Sequence, residues 1–369
     1  MRASPAGKLR YLLLCCCLAA CGEPETIRIG FVADLSDPGS DFGIGIRNSV
    51  ILAVEEQNAA GGIGGRRLEL IIRDDGQDPE QARIAAQELI ALKPEVVIGP
   101  ATSAMARVIV PLMNAAHLPL VSPTVAADEF RGIDDYFLRL SRSSSEAGEN
   151  QAQVLYQLGA RHVGIAYDRS NLAYSESWLH AFATHFTRLG GQITGQEAFA
   201  SAQRPAFAPV IDALRAANPD TLVFISNSID TARLSQQARR RGLNVRLSTT
   251  EWASSGESMI ELGGSAMDGL IFAHTNNRKD LQLPYQAFLA AYEARFHGSS
   301  GYSTVAYDTA KVVIAALEKR RPGEDMKTAL LKYGPYRGLQ HELRFDAQGD
   351  AAQIVYFSQI RDGVPEQLP

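Results

Sequence analysis

The chain has 369 residues, with 36 Lys and Arg against 41 Asp and Glu and a formal net charge of −5. This length is enough for one large or two medium domains with well-filled cores. An acidic chain is poorly suited to nucleic acid or to an anionic membrane surface, so we expect neither as its main partner.

The N-terminus predicts a secretion signal. Three basic residues in the first ten precede the apolar segment 11–20, which is too short to span a bilayer. Residues 18–21, Leu-Ala-Ala-Cys, resemble the lipobox of bacterial lipoproteins. In a lipobox the cysteine is acylated and becomes the new N-terminus. The resemblance implies a signal peptide at 1–20 and a tether at 21–26, with Cys21 lipid-anchored to a membrane of the cell envelope. The alternative is an ordinary signal peptide with a chance cysteine.

Strands and helices alternate in the next part of the chain. The apolar runs that predict strands are 27–32, 68–72, 96–98 and 118–121. Helical spacing or helix-start residues predict helices around 46–57, 79–90 and 104–116. This alternation is typical of a parallel, doubly wound sheet with right-handed crossovers.

The pattern restarts after the serine-rich stretch 141–145. Strands are predicted at 162–167, 192–197, 221–225 and 245–249, and helices at 151–158, 174–188, 207–217 and 229–241. Two further helices are predicted at 284–296 and 304–319. The tail segments 339–345 and 353–360 alternate like antiparallel strands around a turn at 346–350. We therefore predict a second α/β lobe built like the first.

The junction after the strand 96–98 is the first candidate site. Gly99 and Pro100 end the strand, and Thr102 and Ser103 stand at the start of the next helix. A helix start offers unpaired N–H groups and partial positive charge at the carboxyl end of a strand, where open α/β sheets bind ligands. The junction therefore fits an anion, with simple capping of the helix as the alternative.

Five short motifs in this order and spacing resemble one known family. They are NAAGGIGG at 58–65, DDGQDP at 74–79, GPATS at 99–103, PLVSP at 119–123 and AYD at 306–308. The chain from 27 to about 363 is similar to type I periplasmic binding proteins, and within them to the leucine/isoleucine/valine-binding family of importer receptors.

The resemblance implies an α/β fold of two doubly wound parallel-sheet lobes joined by a three-crossover hinge, with the ligand clamped between them. The implied first lobe is 27–142 plus 273–334, and the second is 143–272 plus 335–369. The crossovers would lie near residues 142, 272 and 334. The restarted strand and helix pattern independently predicts only the first of these crossovers.

The resemblance also implies roles for single residues. Ser103 matches the serine that binds an α-carboxylate, and Glu251 falls at the position of the acid that binds an α-ammonium group. Phe42 matches an aromatic residue against the ligand, and Tyr174 a tyrosine on the second lobe. The alternatives are that Phe42 packs against its own helix start and that Glu251 is an ordinary surface acid.

The chain departs from the family at several of these positions. After Ser122 and Pro123 the family usually has Gly-Ala-Thr, whereas Thr124, Val125 and Ala126 follow here, so the ligand contact weakens or passes to Thr124. Asn227 stands where an aromatic residue is common, and Trp252 where glycine is frequent. The resemblance still implies an amine or amide ligand, while these departures argue against branched-chain specificity. The candidate ligand-binding residues are Phe42, Ser103, Ser122, Thr124, Ala126, Tyr174, Asn227, Glu251 and Trp252.

Motifs of the common enzyme classes are missing from the sequence. It has no Walker loop, no His-Glu-x-x-His and no Gly-x-Ser-x-Gly, and His180 and His185 do not share a helix face. We therefore expect no enzyme, cofactor or metal. The first hypothesis is a monomeric solute receptor that delivers its ligand to an ABC importer permease. The alternatives are a ligand-sensing protein on the same fold that signals to a partner, and a lipoprotein that binds no small ligand.

Overall fold

The computed structural model describes residues 26–36, 40–253, 257–297 and 303–369. The predicted signal peptide and Cys21 lie outside these residues. The strands are β1 Ile27–Ala33, β2 Leu68–Asp74, β3 Val96–Ile98, β4 Leu120–Ser122, β5 Phe137–Arg139, β6 His162–Asp168, β7 Gln192–Phe199, β8 Thr221–Ile225, β9 Arg246–Thr249, β10 Ile271–His274, β11 Tyr336–Arg337, β12 Glu342–Leu343, β13 Tyr356–Arg361 and β14 Val364–Gln367.

The helices cover both faces of the sheets that these strands form. They are α1 Asp41–Ala59, α2 Pro79–Leu92, α3 Ser103–Ala115, α4 Ser144–Gln157, α5 Leu172–Arg188, α6 Phe207–Ala216, α7 Ser228–Arg240, α8 Glu257–Gly263, α9 Leu283–Phe296, α10 Ser303–Lys319 and α11 Met326–Lys332. No helix in the described part of the chain is long and apolar enough to cross a membrane.

The first sheet contains five parallel strands in the spatial order β2-β1-β3-β4-β5. Its central strands are buried on both faces, which explains why β3 consists entirely of fully buried apolar side chains. The order reverses between β1 and β3, and such a reversal leaves a crevice at the carboxyl ends of the two strands. The start of α3 lies at this crevice.

The second sheet repeats this arrangement and adds two strands. Its order is β14-β13-β10-β9-β8-β6-β7, in which β10, β9, β8, β6 and β7 are parallel. The strands β13 and β14 are antiparallel to their neighbours. The predicted α/β fold with two doubly wound parallel sheets is thus confirmed, and the reversal between β6 and β8 gives the second sheet its own crevice.

The prediction for the tail is right for its turn and for the first pair of residues that flank it. Residues 346–350 do turn, with the Gly349 N–H 3.2 Å from the Asp346 carbonyl oxygen, and an isolated antiparallel bridge joins Phe345 to Ala351. The pairing does not continue into one hairpin, because β12 pairs with β11 while β13 joins β10 and β14. An alternating pattern shows that a segment is extended with one face buried, but it does not identify the pairing partner.

The structure also contains elements that the sequence patterns missed. These are the strands β5, β10, β11 and β14 and the helices α8 and α11. In addition, α4 begins at Ser144, inside the serine-rich stretch, because the Ser143 hydroxyl caps it by accepting from the Glu146 N–H at 3.3 Å. Short elements have too few residues to show a periodic pattern.

The late helices α9 and α10 pack on α1, beside the first sheet. Arg295 of α9 forms an ion pair with Glu55 at 3.1 Å, and the Tyr307 hydroxyl of α10 donates to Glu56. The strand β10 runs through residue 272, where one boundary between the predicted lobes falls. The division into 27–142 plus 273–334 and 143–272 plus 335–369 stays a prediction.

His274, the last residue of β10, is a buried neutral histidine. It is 2% exposed, with Nδ1 2.8 Å from the Asn276 carbonyl oxygen and Nε2 2.7 Å from the Ser358 hydroxyl. Because a carbonyl oxygen only accepts, Nδ1 carries the proton and Nε2 accepts from Ser358. Burial, aided by the positive charge of Arg278, lowers the pKa of His274 to about 4.

His274 should make the protein less stable in acid. The unfolded chain takes up a proton at this residue below about pH 6.5, whereas the folded chain does so only near pH 4. The contribution of neutral His274 to the free energy of unfolding is therefore complete above pH 6.5 and is lost as pH falls towards 4. We expect the free energy of unfolding of the wild type, relative to His274→Gln, to fall by up to about 1.4 kcal/mol per pH unit in this window. Urea unfolding between pH 7.5 and 4.5 measures this difference. Parallel pH profiles for the two proteins would contradict the assignment.

Candidate functional site

The start of α3 is set by the tight exit from β3. Gly99 has φ +122°, and a Cβ there would lie 2.0 Å from the Val32 carbonyl oxygen of β1. Thr102 then caps α3, because its hydroxyl oxygen accepts from the Met105 N–H at 3.4 Å. The capping alternative therefore applies to Thr102 and leaves Ser103 for another role.

The Ser103 hydroxyl faces the loop that follows β4. Its oxygen accepts from the backbone N–H groups of Ala126 and Ala127 at 3.3 and 3.2 Å. The hydroxyl proton has no acceptor among the described residues, so Ser103 can donate it to a ligand oxygen. The backbone N–H of Ala126, one of the candidate ligand-binding residues, is thus used by Ser103.

A cavity of about 60 Å³ lies between the two sheets at this point. Seven of the predicted site residues line it: Phe42, Ser103, Thr124, Ala126, Tyr174, Glu251 and Trp252. The rest of the lining is Ala101, Pro123, Leu140, Ser141, Arg142, Ala147, Asn171, Thr275, Val305 and Gln353. The structure thus brings together residues from distant parts of the chain, and their roles in binding stay a prediction.

The other two predicted residues do not line this cavity. The fully buried Ser122 donates to the Pro100 carbonyl oxygen at 2.8 Å and accepts from the Val125 N–H at 3.0 Å, so it shapes the loop. Asn227 caps α7, with its side-chain oxygen 2.8 Å from the Asp230 N–H, and lines an adjoining cleft. Thr124 does line the cavity, but its hydroxyl donates to the Ala101 carbonyl oxygen at 2.7 Å.

Arg142 is a cavity residue that the sequence analysis did not select. Its guanidinium donates to Glu251 Oε1 from Nε at 3.0 Å and also from Nη2. The two side chains are 8% and 12% exposed, so this is a buried ion pair. In the sequence, Arg142 stands out only as an arginine among serines at the first predicted crossover. The carboxylate that the resemblance assigns to an ammonium group is therefore already paired with a cation.

Aromatic rings form one wall of the cavity. The rings of Tyr174 and Trp252 meet edge to face, with centroids 5.9 Å apart and planes at 79°. Tyr174 is 6% exposed, and its hydroxyl has no hydrogen-bond partner of normal geometry among the described residues. Burial, and to a lesser extent the charge of Glu251, raises the pKa of Tyr174, so the hydroxyl keeps its proton and can donate it.

Several polar contacts join elements of the two sheets around the cavity, and three of them involve side chains of both partners or a helix start. The Asn171 side-chain oxygen accepts from the Ala104 N–H of α3 at 3.0 Å, and the Ser228 hydroxyl donates to the Asp41 carboxylate of α1. The Arg142–Glu251 pair is the third. Burial raises the pKa of Asp41.

Within the described ranges, no group of three or more His, Cys, Asp or Glu residues could hold a metal ion.

Known proteins are similar to this chain over most of its length. The sequence model of a family described as "Periplasmic binding protein" matches residues 26–364. The Leu/Ile/Val-binding protein homolog 3 of Brucella melitensis is 23% identical over 301 residues, which cover 81% of this chain and 80% of that protein.

Two solved structures share the fold at low identity. The branched-chain amino acid transporter substrate binding protein LivJ of Streptococcus pneumoniae, in complex with isoleucine, has a TM-score of 0.85 at 24% identity and covers 93% of this chain and 98% of that one. A solute binding protein of R. palustris in complex with benzoate has a TM-score of 0.84 at 18% identity, with 93% and 96% covered. At these identities the two structures establish the fold alone.

Proposed function

Because the chain belongs to the periplasmic binding protein family, we propose that it is the extracytoplasmic solute receptor of an ABC importer. It binds a small carboxylate-bearing, amino-acid-like or amide solute between its two lobes and delivers it to the importer permease. It acts as a monomer, anchored to a membrane of the cell envelope through a lipid on Cys21. It performs no catalysis.

The observation that carries this proposal is the cavity between the two sheets. Ser103 and the positive end of α3 approach it from the first sheet, while Tyr174 and Trp252 approach it from the second. A ligand can drive closure of two lobes only by contacting both of them more favourably in the closed state. This cavity offers such contacts on both sides, with donors for a carboxylate and aromatic rings for an apolar body.

A thermal-shift screen tests the proposal. The chain from residue 22 onward is melted with amino acids, amides, polyamines, small carboxylates and aromatic acids. A true ligand at a thousand times its dissociation constant should stabilise the fold by about 4 kcal/mol, a rise of several degrees in Tm. A carboxylate ligand should bind Ser103→Ala about tenfold more weakly in calorimetry, because a hydrogen bond to its charged group is lost.

The control is Ser265→Ala, which removes an exposed hydroxyl outside the cavity. Melting the unliganded Ser103→Ala protein reveals any separate loss of stability, because Ser103 also holds the N–H groups of Ala126 and Ala127. Absence of any shift across the panel would contradict the receptor function and favour an interaction or signalling role. Full affinity in a folded Ser103→Ala variant would remove this residue from the site.

A further inference from the structure

The cavity contains one acid and one base, and they neutralise each other. Among the described residues that line it, only Arg142 and Glu251 carry a formal charge at neutral pH. Both side chains are buried, and Arg142 holds one oxygen of Glu251 through two of its nitrogens. Because Arg142 already neutralises Glu251, a ligand ammonium group would gain the full charge of this carboxylate only by displacing the guanidinium and leaving it buried without its counter-ion. Such a loss is strongly destabilising.

The groups without partners in the cavity are hydrogen-bond donors. They are the proton of the Ser103 hydroxyl and the Nη1 nitrogen of Arg142, which have no partner among the described residues, and the buried hydroxyl of Tyr174, which has none of normal hydrogen-bond geometry there. The positive end of α3 adds a favourable potential beside Ser103. Several donors together with a fixed cation suit a carboxylate, which only accepts hydrogen bonds.

The remaining walls of the cavity suit an apolar body. Phe42, Trp252, Leu140 and Val305 contribute rings or aliphatic chains. We infer that Arg142 makes this site selective for a small carboxylic acid with an apolar or aromatic body and no amino group. This inference rests on the proposed receptor function. Glu251 is then a positioning residue that holds the guanidinium of Arg142, in contrast to the ammonium-binding role that the resemblance implies.

Calorimetry with matched pairs of probes tests the inference. Each pair differs only in the α-amino group: 3-methylbutanoate against valine, and 3-phenylpropanoate against phenylalanine. The wild type should bind the acid of at least one pair ten or more times as tightly as the corresponding amino acid. This ratio of dissociation constants is the quantity to follow through the variants.

Two variants probe the ion pair directly. Arg142→Met removes the cation and leaves Glu251 as the one formal charge among the described lining residues, so the preference should invert in favour of the amino acid. If that variant does not fold, Arg142→Met/Glu251→Gln contains no buried charge at this position, and its preference should fall to within about threefold of parity. The matched control is Arg344→Met, an arginine whose side chain is 69% exposed, which should leave the ratio unchanged.

The outcomes separate this inference from the proposed function. A wild type that prefers the amino acid overturns the inference and leaves the receptor function standing. An unchanged ratio in the folded Arg142 variants also overturns it. If neither pair binds while an amine, amide or polyamine of the screening panel does, the inference fails alone. If no solute binds at all, the proposed function fails and the inference fails with it.

Discussion

Replacing Asp350 by alanine is expected to lower the free energy of unfolding by about 3–5 kcal/mol, because it leaves a buried arginine without its counter-ion. Arg139, the last residue of β5, is 1% exposed and bonds Asp350 Oδ1 at 2.7 Å from Nη2. The other oxygen of Asp350 accepts from the Gly132 N–H at 2.8 Å. One carboxylate therefore ties the tail of the chain to the first sheet.

The same pair supports the candidate site. Arg139 also donates from Nη1 to the Ala127 carbonyl oxygen at 3.0 Å, and the Ala127 N–H is one of the two groups that hold Ser103. Loss of Asp350 should therefore disturb the loop that orients the Ser103 hydroxyl. We expect the affinity for any carboxylate ligand to fall together with the stability.

Denaturant unfolding of three variants checks this prediction. Asp134→Ala is the control, because Asp134 forms its ion pair with Lys327 on the surface and its side chain is 72% exposed. This substitution should lower the free energy of unfolding by about 1 kcal/mol or less. Arg139→Met/Asp350→Ala should recover part of the loss, since neither charge remains buried. A loss for Asp350→Ala as small as that for Asp134→Ala would contradict the argument.

Gly99→Ala is expected to destabilise the fold by about 3 kcal/mol or more, through backbone strain together with a clash. The new Cβ would lie 2.0 Å from the Val32 carbonyl oxygen, at a residue whose φ of +122° favours glycine. Either β3 or β1 must shift, and the start of α3 moves with β3. Ligand affinity should therefore fall by more than tenfold as well.

Gly61→Ala separates the strain from the clash. Gly61 also has a positive φ, +102°, but nothing lies within 4 Å of the position that its Cβ would take. The free energy of unfolding of this control should fall by about 1–2 kcal/mol, from backbone conformation alone, and its ligand affinity should be unchanged. Chemical unfolding and calorimetry on both variants measure the difference. Equal effects of the two substitutions would show that the approach of Gly99 to β1 is unimportant.

Local sequence patterns were enough to predict most of the architecture. The run 96–98 matched β3 to the residue, and the helix predicted at 104–116 begins one residue earlier, at Ser103, with Thr102 as its cap. These features depend on neighbouring residues: apolar runs form buried strands, and hydroxyl side chains cap helices. The tail segments pair with each other only at the bridge between Phe345 and Ala351 and otherwise with other strands, because their alternation specifies a buried face but not a neighbour.

The chain's sequence by itself therefore determined the two α/β sheets, most of their order of elements and the position of the helix start after Gly99 and Pro100. Only the tertiary structure brought Arg142 against Glu251, 109 residues further along the chain, and Arg139 against Asp350, 211 residues away. No local periodicity records such contacts, because they depend on how two separate sheets and a returning tail pack. The same packing decided that the acid expected to bind a ligand ammonium is paired with a guanidinium.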